Sequence, residues 1–99
     1  MNIIKNYNEK ELTLSVEGRI DTITSKDLEN EIDEEFGNFD SLTMDFTDLN
    51  YISSAGLRVL IATQKKLKKE DIAFSIRNAN DAVGEIFRMS GFDKILKIE

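Results

Sequence analysis

The chain has 99 residues, 40% of them hydrophobic, with no cysteine, histidine or proline and a formal net charge of −6. That length suits one domain around a single core, 1–99, and is too short for two. Without cysteine there is no disulfide framework or thiolate metal site, which fits a reducing cytoplasm, and the acidic balance argues against sequence-independent nucleic-acid binding, which needs lysines and arginines to neutralise phosphates.

In chain order, Leu12-Thr13-Leu14-Ser15-Val16-Glu17 alternates apolar and polar, the period of a strand with one buried face, and Tyr7-Asn8-Glu9-Lys10 offers a turn from a short N-terminal strand. The chain should therefore open on a β-hairpin, whose pattern Gly18 interrupts. Thr22 to Ser25 supply N-cap hydroxyls for a helix with apolar Leu28, Ile32 and Phe36 at every fourth position, ending at Gly37. Leu42, Met44 and Phe46 alternate with Thr43, Asp45 and Thr47 in a strand. Ser53 or Ser54 then caps a second helix running to about Lys69, with Leu57, Leu60, Ile61 and Leu67 on its core face.

Lys65, Lys66, Lys68 and Lys69 crowd the last turns of that helix, where cations complement the negative end of its dipole, a structural reading that outweighs the alternative of a dedicated binding patch. Ile72, Phe74 and Ile76 predict another strand, and Asp81 to Met89 a helix carrying Val83, Ile86 and Phe87 with Gly91 just beyond its end. Met89 is expected in the core or at its rim, the alternative being a part in an apolar docking surface. Ile95, Leu96 and Ile98 suggest a final short strand. The order β-β-α-β-α-β-α-β implies an α/β fold, a mixed and mainly parallel sheet with an N-terminal hairpin and three main helices packed on it. A ferredoxin-like sheet would have two helices instead of three.

No segment approaches the roughly 20 apolar residues of a membrane span, and Met1-Asn2-Ile3-Ile4-Lys5 lacks a secretory signal's apolar run, so a soluble cytoplasmic chain is expected. Charge is unevenly spread: residues 1–50 hold 13 acids and 4 bases, residues 51–99 hold 6 acids and 9 bases. Such asymmetry can steer a complementary protein or simply mark solvated faces. The lack of histidine removes the usual base of a Ser-His-Asp hydrolase and the commonest metal ligand. Ile52 stands where a nucleophile elbow around Ser54 needs its first glycine, and no phosphate-binding glycine loop occurs. Catalytic residues, a cofactor and a metal are therefore not expected. Asp45 and Asp48, on a strand's polar face and in the loop after it, suit turn and surface roles.

The most informative stretch is Asp45-Phe46-Thr47-Asp48-Leu49-Asn50-Tyr51-Ile52-Ser53-Ser54-Ala55-Gly56-Leu57, which sets two serines where an alternating strand gives way to a helix. A helix N-terminus exposes unpaired N–H groups at the positive end of the dipole, so a hydroxyl there can carry a phosphate without melting the helix. Taken alone, helix capping is sufficient reason for these serines.

This stretch resembles the signature of bacterial anti-sigma factor antagonists, the small single-domain STAS proteins. Gly18-Arg19-Ile20-Asp21 and Phe87-Arg88-Met89-Ser90-Gly91-Phe92 are similar to further family motifs at about the expected places, so the resemblance covers nearly the whole chain. It implies the STAS fold and a non-catalytic regulator. Such a regulator binds an anti-sigma factor serine kinase, is switched off by phosphorylation of Ser54, and is restored by a PP2C-type phosphatase. Many members have Asp directly before the phosphorylated serine; here that residue is Ser53, which leaves Ser53 as the alternative acceptor. The partner-binding set implied is Asp21, Ser53, Ser54, Ala55, Gly56, Leu57 and Arg58. Asp21 could equally be a turn-forming or capping aspartate, and Gly56 could serve packing as well as docking. The resemblance further implies a monomer when free. Two rivals are an unphosphorylated STAS interaction subunit of a lipid-transport or signalling assembly and a small nucleotide binder or hydrolase.

Overall fold

A computed structural model describes all 99 residues. The expected hairpin is present: β1 (Asn2–Asn8) runs antiparallel to β2 (Glu11–Ile20). Helix α1 (Thr24–Glu35) leads to β3 (Ser41–Asp45), and a short strand β4 (Leu49–Ile52) leads into α2 (Ser54–Lys69). Then come β5 (Ala73–Arg77), α3 (Asp81–Ser90), a 3-10 turn (Phe92–Lys94) and β6 (Lys97–Ile98). The sheet order is β1-β2-β3-β5-β6, parallel after the hairpin, with β4 paired in parallel to the far end of β2. No helix is long and apolar enough to cross a membrane.

Strand alternation decides where the helices lie. Leu12, Leu14 and Val16 of β2, Leu42 and Met44 of β3, and Phe74 and Ile76 of β5 share one face and are buried. The other face carries half-buried Thr13, Ser15, Thr43 and Ser75, with the last two hydroxyls 3.4 Å apart. Onto the apolar face pack Leu28 and Ile32 from α1, Leu57, Leu60 and Leu67 from α2, and Val83 and Phe87 from α3. Phe87 stacks on Phe46 with ring centroids 6.3 Å apart. Each such side chain contributes about 1.5–3 kcal/mol on burial, so this layer holds the helices in place more than their own propensities do.

Local details differ from the sequence reading. β4 is a strand that no alternation in the sequence predicts, since Leu49-Asn50-Tyr51-Ile52 shows no apolar–polar period of two, and only its first and last residues are buried. It forms because β2 changes neighbour at Gly18. There the backbone takes φ +91°, the register shifts before Arg19, and Ile20 comes opposite Ile52. α1 is not capped by a hydroxyl at Thr22 to Ser25 but by Asp21, whose carboxylate accepts from the N–H groups of Ile23 at 3.0 Å and Thr24 at 2.8 Å. Phe36 lies just past α1, beneath the Lys66 ammonium, 4.2 Å from its ring centroid. Ile72 precedes β5, Met89 is 80% exposed and so lies outside the core, and Ile95 precedes β6 with 54% exposure.

Candidate functional site

The site forms where β2 and β4 end side by side. The Ser53 N–H donates to the Ile20 carbonyl at 2.8 Å, which fixes the start of α2 to the end of β2. Ser53 has extended backbone, φ −87° and ψ 171°, and its hydroxyl accepts from the Gly56 N–H at 3.2 Å. Its carbonyl accepts from the Leu57 N–H at 2.9 Å. This is N-cap geometry. Ser54 is the first helical residue, exposed, with its hydroxyl in no hydrogen bond to the chain.

Two adjacent serines are thus separated by backbone conformation alone. One hydroxyl is committed to the cap; the other is free in solvent at the positive end of a 16-residue helix whose first turn holds no acid.

Gly56 lets that end of the helix sit tightly against the sheet. A Cβ there would lie 2.6 Å from Ile20 Cγ2 and 2.7 Å from Ile52 Cγ1, both on buried side chains. Gly56 and Leu57 are buried, Ala55 and Ser53 half-buried, and Ser54 and Arg58 exposed. Of the seven expected docking residues, the surface therefore offers chiefly Ser54 and Arg58, one helical turn apart, while Gly56 and Leu57 support them from below.

Asp21, half-buried, sits in the turn that follows Ile20. The Thr24 N–H, then the Thr24 hydroxyl and the Ile23 N–H, hold its carboxyl below the usual aspartate range. The Thr24 hydroxyl itself accepts from the Asp21 N–H at 2.8 Å and donates to the Arg19 carbonyl at 2.9 Å, which makes the turn rigid. Next to it, the Arg19 guanidinium lies 4.5 Å over the Tyr51 ring. No local pattern in the sequence pairs Arg19 with Tyr51, since their contact depends on the β2–β4 pairing.

At the same end of the sheet, the Asp45 carboxylate closes its own turn, accepting from the Thr47 N–H at 2.9 Å and the Thr47 hydroxyl at 2.6 Å. Burial opposes the charge of Asp45, yet Thr47, Asn78 and the nearby Arg77 together hold its carboxyl below the usual range. Asn80 caps α3 by accepting from the Val83 N–H at 2.9 Å, and its amide donates to the Leu49 carbonyl at 2.8 Å, tying α3 to β4. No group of three or more carboxylates is gathered as for a metal ion.

A family model described as STAS domain matches residues 2–99. The chain is 24% identical over 98 residues to the anti-sigma-B factor antagonist of Bacillus subtilis, with 99% of this chain and 90% of that protein covered. It is 29% identical over 86 residues to the anti-sigma-F factor antagonist RsfB of Mycobacterium tuberculosis, covering 86% of this chain and 70% of that one. The crystal structure of an anti-sigma factor antagonist from Mycobacterium paratuberculosis superposes with a TM-score of 0.88 at 26% identity, over 98% of this chain and 83% of the other.

Proposed function

The chain belongs to the STAS domain family, and from that premise we propose that it is an anti-sigma factor antagonist switched by phosphorylation of Ser54. Unphosphorylated, it binds an anti-sigma factor that is also a serine kinase, and the sigma factor goes free because the occupied anti-sigma factor cannot hold it. A PP2C-type phosphatase returns the phosphorylated protein to its active form. The chain acts in the cytoplasm as a binding module, monomeric when free, and supplies no catalytic group of its own.

One observation carries the reading: the Ser54 hydroxyl is exposed and unbonded at the start of α2, beside a Ser53 hydroxyl already engaged as the cap. A kinase can reach the first without opening the helix and can reach the second only by breaking the cap. Phosphate adds a charge of about −1.5 to −2 near pH 7 and three acceptor oxygens. The first-turn N–H groups and the helix dipole tolerate that charge within the domain. At a docked surface the same charge meets desolvation and the partner's own groups, so the complex is weakened and the fold is not.

Incubation with the cognate anti-sigma kinase and ATP, followed by mass-spectrometric site mapping, should find one phosphate, on Ser54. Ser54→Ala should bind the kinase with or without ATP. Phosphate on Ser53, or no phosphate on a protein that does bind, would overturn the switch assignment.

A further inference from the structure

Away from the switch serine, α2 and the 3-10 turn enclose an open groove of about 460 Å³, lined by Arg58, Ile61, Ala62 and Lys65 of the helix and by Phe92 and Ile95. Its floor is apolar. Ile95 is 54% exposed there, one of three large aliphatic side chains, with Ile4 and Ile23, that the chain leaves in water. Its two charged residues are both cations, and neither has an ion-pair partner in the chain, whereas the neighbouring Lys66 is paired with Asp33 at 3.2 Å.

The helical residues of the groove follow directly on from the switch. Ser54, Arg58, Ile61, Ala62 and Lys65 fall at spacings of four, three, one and three, which is one face of a helix. From Ser54 to Lys65 the stripe runs about 16 Å at 1.5 Å per residue.

We propose that this groove is the second half of the docking surface and receives an amphipathic segment of the anti-sigma factor, in which apolar side chains lie between acidic ones. The proposal rests on the reading of the chain as an anti-sigma factor antagonist. The apolar residues of the segment cover Ile61, Ala62, Phe92 and Ile95, as in the packing of an amphipathic helix into a groove. Its carboxylates meet Arg58 at one end and Lys65 at the other, which fixes direction and register. Arg58 then belongs to both halves of the surface. A phosphate on Ser54, one turn before it, draws the guanidinium away from the docked carboxylate, so the modification acts along the groove as well as at its own position.

The test is the affinity of purified cognate anti-sigma factor for four proteins, measured by titration calorimetry, with thermal melting to confirm folding. These are the wild type, Lys65→Glu, Ile95→Glu and the control Lys68→Glu, which makes the same charge change on the same helix outside the groove. Lys65→Glu and Ile95→Glu should each weaken binding about tenfold or more, and Lys68→Glu by no more than about threefold. Wild-type binding with no loss in Lys65→Glu, or an equal loss in Lys68→Glu, would overturn the groove and leave the antagonist reading standing. A wild type that does not bind the anti-sigma factor would overturn both.

Discussion

At the scale of single residues, the difference between Ser53 and Ser54 is one of backbone angle, and it should be measurable as stability. Ser53→Ala removes the acceptor for the Gly56 N–H, at a cost of about 1 kcal/mol, which in a domain of this size lowers Tm by about 4–8 °C. Ser54→Ala removes no bond and should leave Tm nearly unchanged. Ser54→Asp should raise stability by about 0.3–1 kcal/mol, since it sets a carboxylate at the helix N-terminus, one turn before Arg58. Equal melting losses in the two alanine variants would show that the cap had been misassigned. Gly56→Ala sets two effects in opposition: alanine is about 1 kcal/mol the better helix former, but its Cβ would lie 2.6–2.7 Å from two buried isoleucines. Branched, buried side chains cannot swing aside, so overpacking of about 1–3 kcal/mol should win and Tm should fall. A Tm at or above wild type would mean that Ile20 and Ile52 can repack. Much of this site was legible beforehand, because two serines between a strand and an amphipathic helix form a local pattern. What was not legible is which residues of the motif face inward: the burial of Gly56 and Leu57 comes from the approach of β2 and β4, elements far apart in sequence.

Among the elements, α1 is held at both ends by charge, and pH should loosen each end separately. Its start is capped by Asp21, and near its C-terminus Glu35 accepts hydrogen bonds from the Tyr7 hydroxyl at 2.7 Å and the Lys5 ammonium at 3.2 Å. Lys5 also pairs with Glu31 at 2.6 Å, so β1, an edge strand, is clamped to the helix. The Thr24 N–H first of all depresses Asp21, and the Tyr7 hydroxyl depresses Glu35. Groups depressed in the fold bind fewer protons than in the unfolded chain, so their contribution is present above about pH 4 and is lost as pH falls through it. Lys5 is raised, chiefly by Glu31, and Tyr7 is pushed up to about 12, first by burial and then by Glu35. These contributions are complete below about pH 10 and are lost as pH rises beyond it. Urea unfolding should therefore show a plateau with two shoulders. Asp21→Asn should reduce the acid one, leaving the part due to Glu35, and Lys5→Met should reduce the alkaline one, leaving the part due to Tyr7; an unchanged profile in either variant would refute the corresponding clamp. The sequence showed this helix but not its cap or its clamp. Periodicity located Leu28 and Ile32, whereas Asp21 caps only because Thr24 folds back onto it, and Lys5 meets Glu31 only once the hairpin is laid beside the helix. β4 is not legible in the sequence for the same reason, since its four residues are a strand through pairing with β2 and not through any alternation of their own.

Over the whole molecule, net charge and local charge have opposite signs at the proposed docking surface. The chain carries −6 in total, but the acids gather on α1 while Arg58, Lys65, Lys66, Lys68 and Lys69 make the adjoining α2 basic. Which of the two an approaching acidic partner feels depends on the screening length relative to the molecule, whose longest extent is 32 Å. At 0.01 M salt the Debye length is about 30 Å, so the whole domain acts at once and its net charge repels. At 0.1 M it is about 10 Å, so a partner near α2 feels that helix and little of α1. In about 1 M salt it is about 3 Å, and the attraction of α2 is itself screened. The association rate constant with the anti-sigma factor should therefore rise from about 0.01 M to about 0.1 M salt and fall again toward 1 M, while dissociation, governed by short-range contacts, changes much less. Stopped-flow association at the three salt concentrations reads this directly. A rate that only falls with salt would mean that α2 dominates the field at every distance. A rate independent of salt would remove electrostatic steering and leave the uneven charge as a feature of solvated helix faces.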